Sequence, residues 1–148
     1  MRQKNKMQEV TFEEALDQIV AADPRYHREA YAFVREALDF TQKIVGKESS
    51  RTSSHVSGQE LLAGIRQLAL AEFGPMTITV LEEWGIRDCS DFGNLVFNMV
   101  ETGFLGKTET DSRADFLDGY NFEDAFRKPF LPASKLTPKP VAPKPTQA

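Results

Sequence analysis

The sequence predicts a mainly α fold: a helical hairpin packed on a winged-helix-like three-helix unit with a small β-hairpin, then a disordered C-terminal tail. Three observations predict it. Apolar residues recur at i, i+3, i+4 and i+7 in successive segments, which puts them on one face of a helix. Helix-start and helix-stop residues punctuate those segments. Between Trp84 and Phe122 a glycine break, a capped amphipathic helix and a strand-turn-strand pattern follow one another. A winged helix-turn-helix uses that order for its recognition helix and wing.

The first helix is expected from Thr11, which forms a capping box with Glu14. Phe12, Ala15, Leu16, Ile19 and Val20 then share a face. Asp23-Pro24 is expected to cap and start a second helix, with Pro24 at the first helical position. Its stripe runs from Tyr26 through Phe33, Val34, Leu38 and Val45, and Gly46 is expected to end it. Residues 11–46 are thus a helical hairpin, and the Ser-rich stretch 47–54 is a connector.

Ser57 and Glu60 form a second capping box before a stripe of Leu61, Leu62, Ile65, Leu68, Ala69 and Phe73. Gly64 weakens that helix by about 1 kcal/mol relative to Ala, a cost that a close helix crossing offsets. Gly74-Pro75 separates it from a helix carrying Met76, Val80, Leu81 and Trp84. The β-branched run Thr77–Val80 also fits a strand. Helix is preferred because Pro75 suits the first position and Glu82-Glu83 follow in phase. Gly85 stops this segment. Ser90 is expected to cap a helix bearing Phe92, Leu95, Val96, Met99 and Val100, ended by Gly103. Phe104-Leu105 and Phe116-Leu117 are expected to flank a hairpin turn, and Asn121 and Asp124 to cap one last turn. The winged-helix-like unit spans 56–126 and the single globular domain 11–128, after a flexible 1–10. Six of the eight prolines fall in 129–148, so this Pro/Lys-rich stretch is expected to be a disordered tail.

Charge is unevenly placed. Residues 82–124 carry 11 acids against 3 bases, whereas 125–148 carry 5 bases and no acid. No apolar run approaches the roughly 20 residues that span a bilayer, so no membrane partner is expected. The basic first residues lack the apolar core of a secretory signal, which makes the cytoplasm the expected location. The single cysteine, Cys89, excludes an intrachain disulfide and reads as a small packed residue at a helix entrance.

Three blocks carry a resemblance. They are DPRYHREAYAFVREAL, HVSGQELLAGIRQLALAEFGPMTITVLEEWGI, and SDFGNLVFNMVETGFLGKTETDSRADF with NFEDAF. In these the chain resembles a family of uncharacterised proteins found in planctomycetes and verrucomicrobia. The resemblance covers nearly everything from Phe12 to Phe126, leaves out the Pro-rich tail, and implies no activity, cofactor or catalytic residue.

Candidate chemistry is sparse. No metal site is expected, because the two histidines lie in no HExxH or ExxH pattern. The acids around Gly119 fail the EF-hand loop, where Ala114, Phe116 and Ala125 would stand at ligand positions. No cofactor-binding motif is present. His27, Tyr31 and Arg35 share a helix face opposite the core stripe and, with His55, are candidates for a polar pocket. On the expected recognition helix the outward residues are Gly93, Asn94, Phe97, Asn98 and Glu101. Asn94 and Asn98 have the chemistry to read adenine edges. Phosphate contacts supply most nucleic-acid affinity, however, and this helix has no Lys or Arg. Phe97, Asn94, Asn98 and Glu101 are therefore candidates for a protein interface.

The expectation is a non-catalytic protein-interaction or adaptor module with a protein partner. A nucleic-acid-associated regulator acting through its basic termini is the alternative. An enzyme with a polar site near His27, Tyr31 and His55 is the third reading.

Overall fold

The computed structural model describes residues 11–49, 56–105, 113–117 and 119–132. Five α-helices form the body of these residues: α1 (Phe12–Ala22), α2 (Arg28–Ser49), α3 (Gly58–Phe73), α4 (Thr77–Glu83) and α5 (Cys89–Glu101). Short helical turns at Gly74–Met76, Arg113–Phe116, Glu123–Arg127 and Lys128–Phe130 complete it. The chain is mainly helical, and no strand occurs among the described residues.

Local signals explain most helix starts. Both expected capping boxes form: Thr11 Oγ1 accepts from Glu14 N at 3.1 Å, and Ser57 Oγ from Glu60 N at 3.1 Å. Each pair satisfies two backbone N–H groups that the first turn leaves without partners. Residues 77–83 are helical, as preferred. Their buried face is Thr77, Ile78 and Leu81, whereas Met76 is 56% exposed rather than part of the stripe.

Four local expectations are corrected. Asp23 does not start a helix: it ends α1, and α2 begins at Arg28 behind His27, whose Nδ1 accepts from Glu29 N at 3.0 Å. Gly46 does not end α2, which continues to Ser49. The cap of α5 is Asp88 rather than Ser90; its Oδ1 accepts from Ser90 N at 3.0 Å, and Asp91 Oδ2 accepts from Asp88 N. The expected strand residue Phe116 belongs to a 3-10 turn, and Phe104-Leu105 closes α5, both backbone N–H groups donating to Met99 O. The intervening turn of the expected hairpin lies outside the described residues.

α2 turns back along α1. Arg28 pairs with Asp17 and Glu13, and the Arg35 guanidinium lies 4.9 Å from the Phe12 ring centre. α3 runs antiparallel to α2, with Phe33 against Phe73 and Thr41 against Gly64. At that crossing a Cβ on Gly64 would stand 1.7 Å from Thr41 Oγ1, so the helices approach as closely as a missing side chain permits. The close crossing expected at Gly64 is therefore present. α5 packs across α1, α2 and α3. Its apolar face (Phe92, Leu95, Val96, Met99) is buried with Tyr31, Leu61, Ile65 and Leu81. Phe33, Phe73 and Trp84 form one aromatic cluster, and Phe92, Tyr120, Phe122 and Phe126 another.

Candidate interaction surfaces

The polar residues of α5 have two different fates. On the side facing the α1–α2 corner they join a hydrogen-bonded network. Asn98 Nδ2 donates to Asp23 Oδ2 at 3.0 Å and to the Tyr31 hydroxyl at 3.1 Å. Asn94 Nδ2 donates to the Tyr26 hydroxyl at 2.9 Å, and that hydroxyl donates to Asp91 Oδ1. The second Asp91 oxygen accepts from Arg87 N and Asp88 N. Arg25 closes the corner with a two-pronged pair to Asp23, at 2.9 and 2.8 Å, and lies over the Tyr26 ring. Gly85 holds the same corner from below. Its φ of 92° and the nearness of the Arg25 carbonyl, 2.3 Å from an added Cβ, exclude a side chain there.

These surroundings perturb Asp23 and the two phenols. The Arg25 hydrogen bonds hold the Asp23 carboxyl well below the usual carboxylate range, assisted by Asn98. Burial, and then the hydrogen bond to Asp91, push the Tyr26 hydroxyl up to about 12. Burial also raises Tyr31.

The network corrects the sequence reading of both residue sets. Tyr31 is fully buried rather than on a wet helix face, because α2 is covered by α1, α3 and α5 and one apolar stripe cannot serve three neighbours. His27 is exposed at the α2 entrance, and Arg35 stacks on Phe12 and Phe104. These three side chains therefore do not line one pocket, and His55 lies outside the described residues. Asn94 and Asn98 turn toward the helical corner, and their amides are engaged inside the molecule. Sequence periodicity did not single out Asp23, Tyr26 or Asp91 as members of this cluster. A tyrosine and an asparagine 67 or 68 positions apart leave no local pattern.

Next to this network, with Asn94 on the shared edge, α5 borders an open surface. A hollow of about 410 Å³ lies between α5 and the 113–117 turn, lined by Ser90, Gly93, Asn94, Ala114 and Leu117. Phe116 anchors that turn, buried against Gly93 and Gly58, while the adjacent Leu117 is 70% exposed. Phe97 follows Gly93 and Asn94 by one helical turn and is 38% exposed, with Glu101 one turn further. Cys89 is buried at the start of α5. Burial pushes its thiol up to about 12, and Sγ contacts Tyr120 O at 3.5 Å, a structural setting rather than a reactive one.

No helix among the described residues is long and apolar enough to cross a membrane. No family model matches the chain, and neither curated proteins nor solved structures yield a significant match.

Proposed function

We propose that this protein is a non-catalytic, cytoplasmic protein-interaction or adaptor module on a winged-helix-like scaffold, and that the open side of α5 contacts the partner. The observation that carries this reading is the 410 Å³ hollow between α5 and the 113–117 turn, edged by a 70% exposed Leu117. A large apolar side chain beside a concave, mostly uncharged surface supplies an anchor-and-pocket arrangement of the kind that dominates protein interfaces. Phe97 extends the same surface along the helix.

Charge supports a protein rather than a nucleic acid as partner. α5 carries Asp91 and Glu101 and no basic residue, so it offers nothing to phosphates. The two asparagines that would read bases already donate to Tyr26, Asp23 and Tyr31. The winged-helix comparison rests on the succession α3, α4, α5 and the position of α5 as the third, surface-presenting helix.

The test is affinity capture from native lysate with the full chain, Phe97→Ala and Leu117→Lys. Loss of the same partners from both variants, with unfolding midpoints unchanged, supports the reading. Retention of every partner by both variants overturns it. Retention on a nucleic-acid column that weakens steeply with salt would redirect the reading to the basic termini.

A further inference from the structure

A second cleft, of about 470 Å³, lies between α4, the start of α5 and residues 119–123. Its apolar lining is Ile78, Tyr120 and Phe122, with the two aromatic ring centres 6.3 Å apart and their planes inclined by 34°. Three carboxylates from three separate elements surround it: Glu82 on α4, Asp88 at the cap of α5, and Glu123 at the start of the 123–127 turn. Arg87 is the one base among the lining residues.

We propose that this cleft takes the chain's own segment 133–148, bound in cis. Three observations select that occupant. The first is charge: residues 133–148 contain Lys135, Lys139 and Lys144 and no acid, the complement of the cleft. The second is shape. Pro138, Pro140, Pro143 and Pro145 favour the polyproline II conformation, and segments of that kind dock on neighbouring aromatic rings. Tyr120 and Phe122 place two such rings beside Glu82, while Glu123 pairs with Arg127 at 2.9 Å and Asp88 caps α5, so Glu82 is the carboxylate expected to meet a tail lysine.

The third is connectivity. The segment follows Pro132 directly, and the Lys128–Phe130 turn packs on the Glu123–Arg127 turn, whose first residue lines the cleft. Sixteen residues at about 3.1 Å each reach roughly 50 Å. A domain of this size has a radius of gyration of only about 13 Å. Tethering also supplies an effective concentration on the order of millimolar, so a weak peptide-sized contact suffices in cis. The cleft is then self-occupied, and any external basic, Pro-rich peptide must displace the segment.

The test uses the full chain in solution by NMR. A nitroxide on Ala142→Cys, in a Cys89→Ala background, should broaden the amides of residues 78–88 and 119–123 and spare those around Thr41. High salt should remove the effect. Glu82→Lys should reduce the broadening by about threefold or more, and adding Lys139→Glu and Lys144→Glu should restore it. In the native-cysteine chain, the Lys139→Glu/Lys144→Glu variant alone should move the same amide signals, a measurement independent of the Cys89 replacement. Unchanged amides in both measurements overturn the proposal. So does broadening that appears only when spin-labelled and isotope-labelled chains are mixed, because the occupant is then a second copy.

Discussion

The α2–α3 crossing and the corner where residues 23–31 meet α5 join helices by different physical means. At the crossing, Gly64 removes a side chain and Thr41 fills the space, its hydroxyl donating to Ala37 O at 2.7 Å inside its own helix. Contact there is steric and dispersive, and it tolerates almost no added volume. At the corner, Asp23, Tyr26 and Tyr31 meet Asp91, Asn94 and Asn98 through directed hydrogen bonds. Contact there tolerates volume better but depends on protonation. One junction fixes distance and the other fixes orientation. The orientation it fixes is that of α5, which presents the hollow beside the corner, with Asn94 common to both.

The largest expected effect is at the crossing. Gly64→Ala forces a Cβ into Thr41 and should destabilise the fold by about 1–3 kcal/mol, despite the better helix propensity of alanine. Thr41→Ala in the same chain should recover part of the loss in urea unfolding. An unaffected single variant would mean that the crossing is looser than its geometry.

At the corner, Tyr26→Phe removes the hydroxyl shared by Asp91 and Asn94 and should cost about 1–2 kcal/mol. Its orienting role is checked separately: amide signals along α5 should shift, whereas those around Gly64 should not.

The corner should also set the pH limits. Asp23 is held below its unfolded value, so its contribution is present above roughly pH 4 and is lost as pH falls further. Tyr26 is raised, so its contribution is complete below about pH 10 and disappears as pH rises toward 12. Asp23→Asn should flatten the acid limb of a stability–pH profile, and Tyr26→Phe should reduce the alkaline limb.

The smallest effect has the opposite sign. At the α2–α3 junction, a hydrogen bond with Glu36 raises the Glu72 carboxyl, so this pair is most favourable in acid and loses its contribution as pH rises. Glu72→Gln should raise stability at neutral pH by no more than about 0.5 kcal/mol, because the pair is exposed. A loss of stability on that substitution would show that the Glu72 charge stabilises the junction at neutral pH, against the direction in which Glu36 shifts it.

Much of the helical skeleton was legible in the sequence. The Thr11–Glu14 and Ser57–Glu60 boxes, the Gly64 crossing and the Gly103 stop all depend on neighbours within a turn or on glycine itself. The misreadings occur where one residue had two possible partners. Asp23 before proline fits a helix start, but Arg25 and Asn98 satisfy its carboxylate instead. Ser90 fits a cap, but its own backbone N–H donates to Asp88, whose N–H donates in turn to Asp91, and this makes Asp88 the cap. For the candidate site, Phe97, Asn94 and Asn98 were legible as one helix face. That the corner takes Asn94 and Asn98, while Leu117 rises beside Gly93, was not.

By itself the sequence determined the order of the main helices, the Thr11 and Ser57 capping boxes, and the separation of an acidic body from a basic, Pro-rich end. These follow from interactions at i, i+3 and i+4 and from composition, which need no knowledge of the fold. Only the tertiary structure decided which polar side chains became partners and which face of α5 stayed open. The deciding hydrogen bonds join residues 65 to 75 positions apart, and closing the chain over that distance leaves no periodic trace in the residues between.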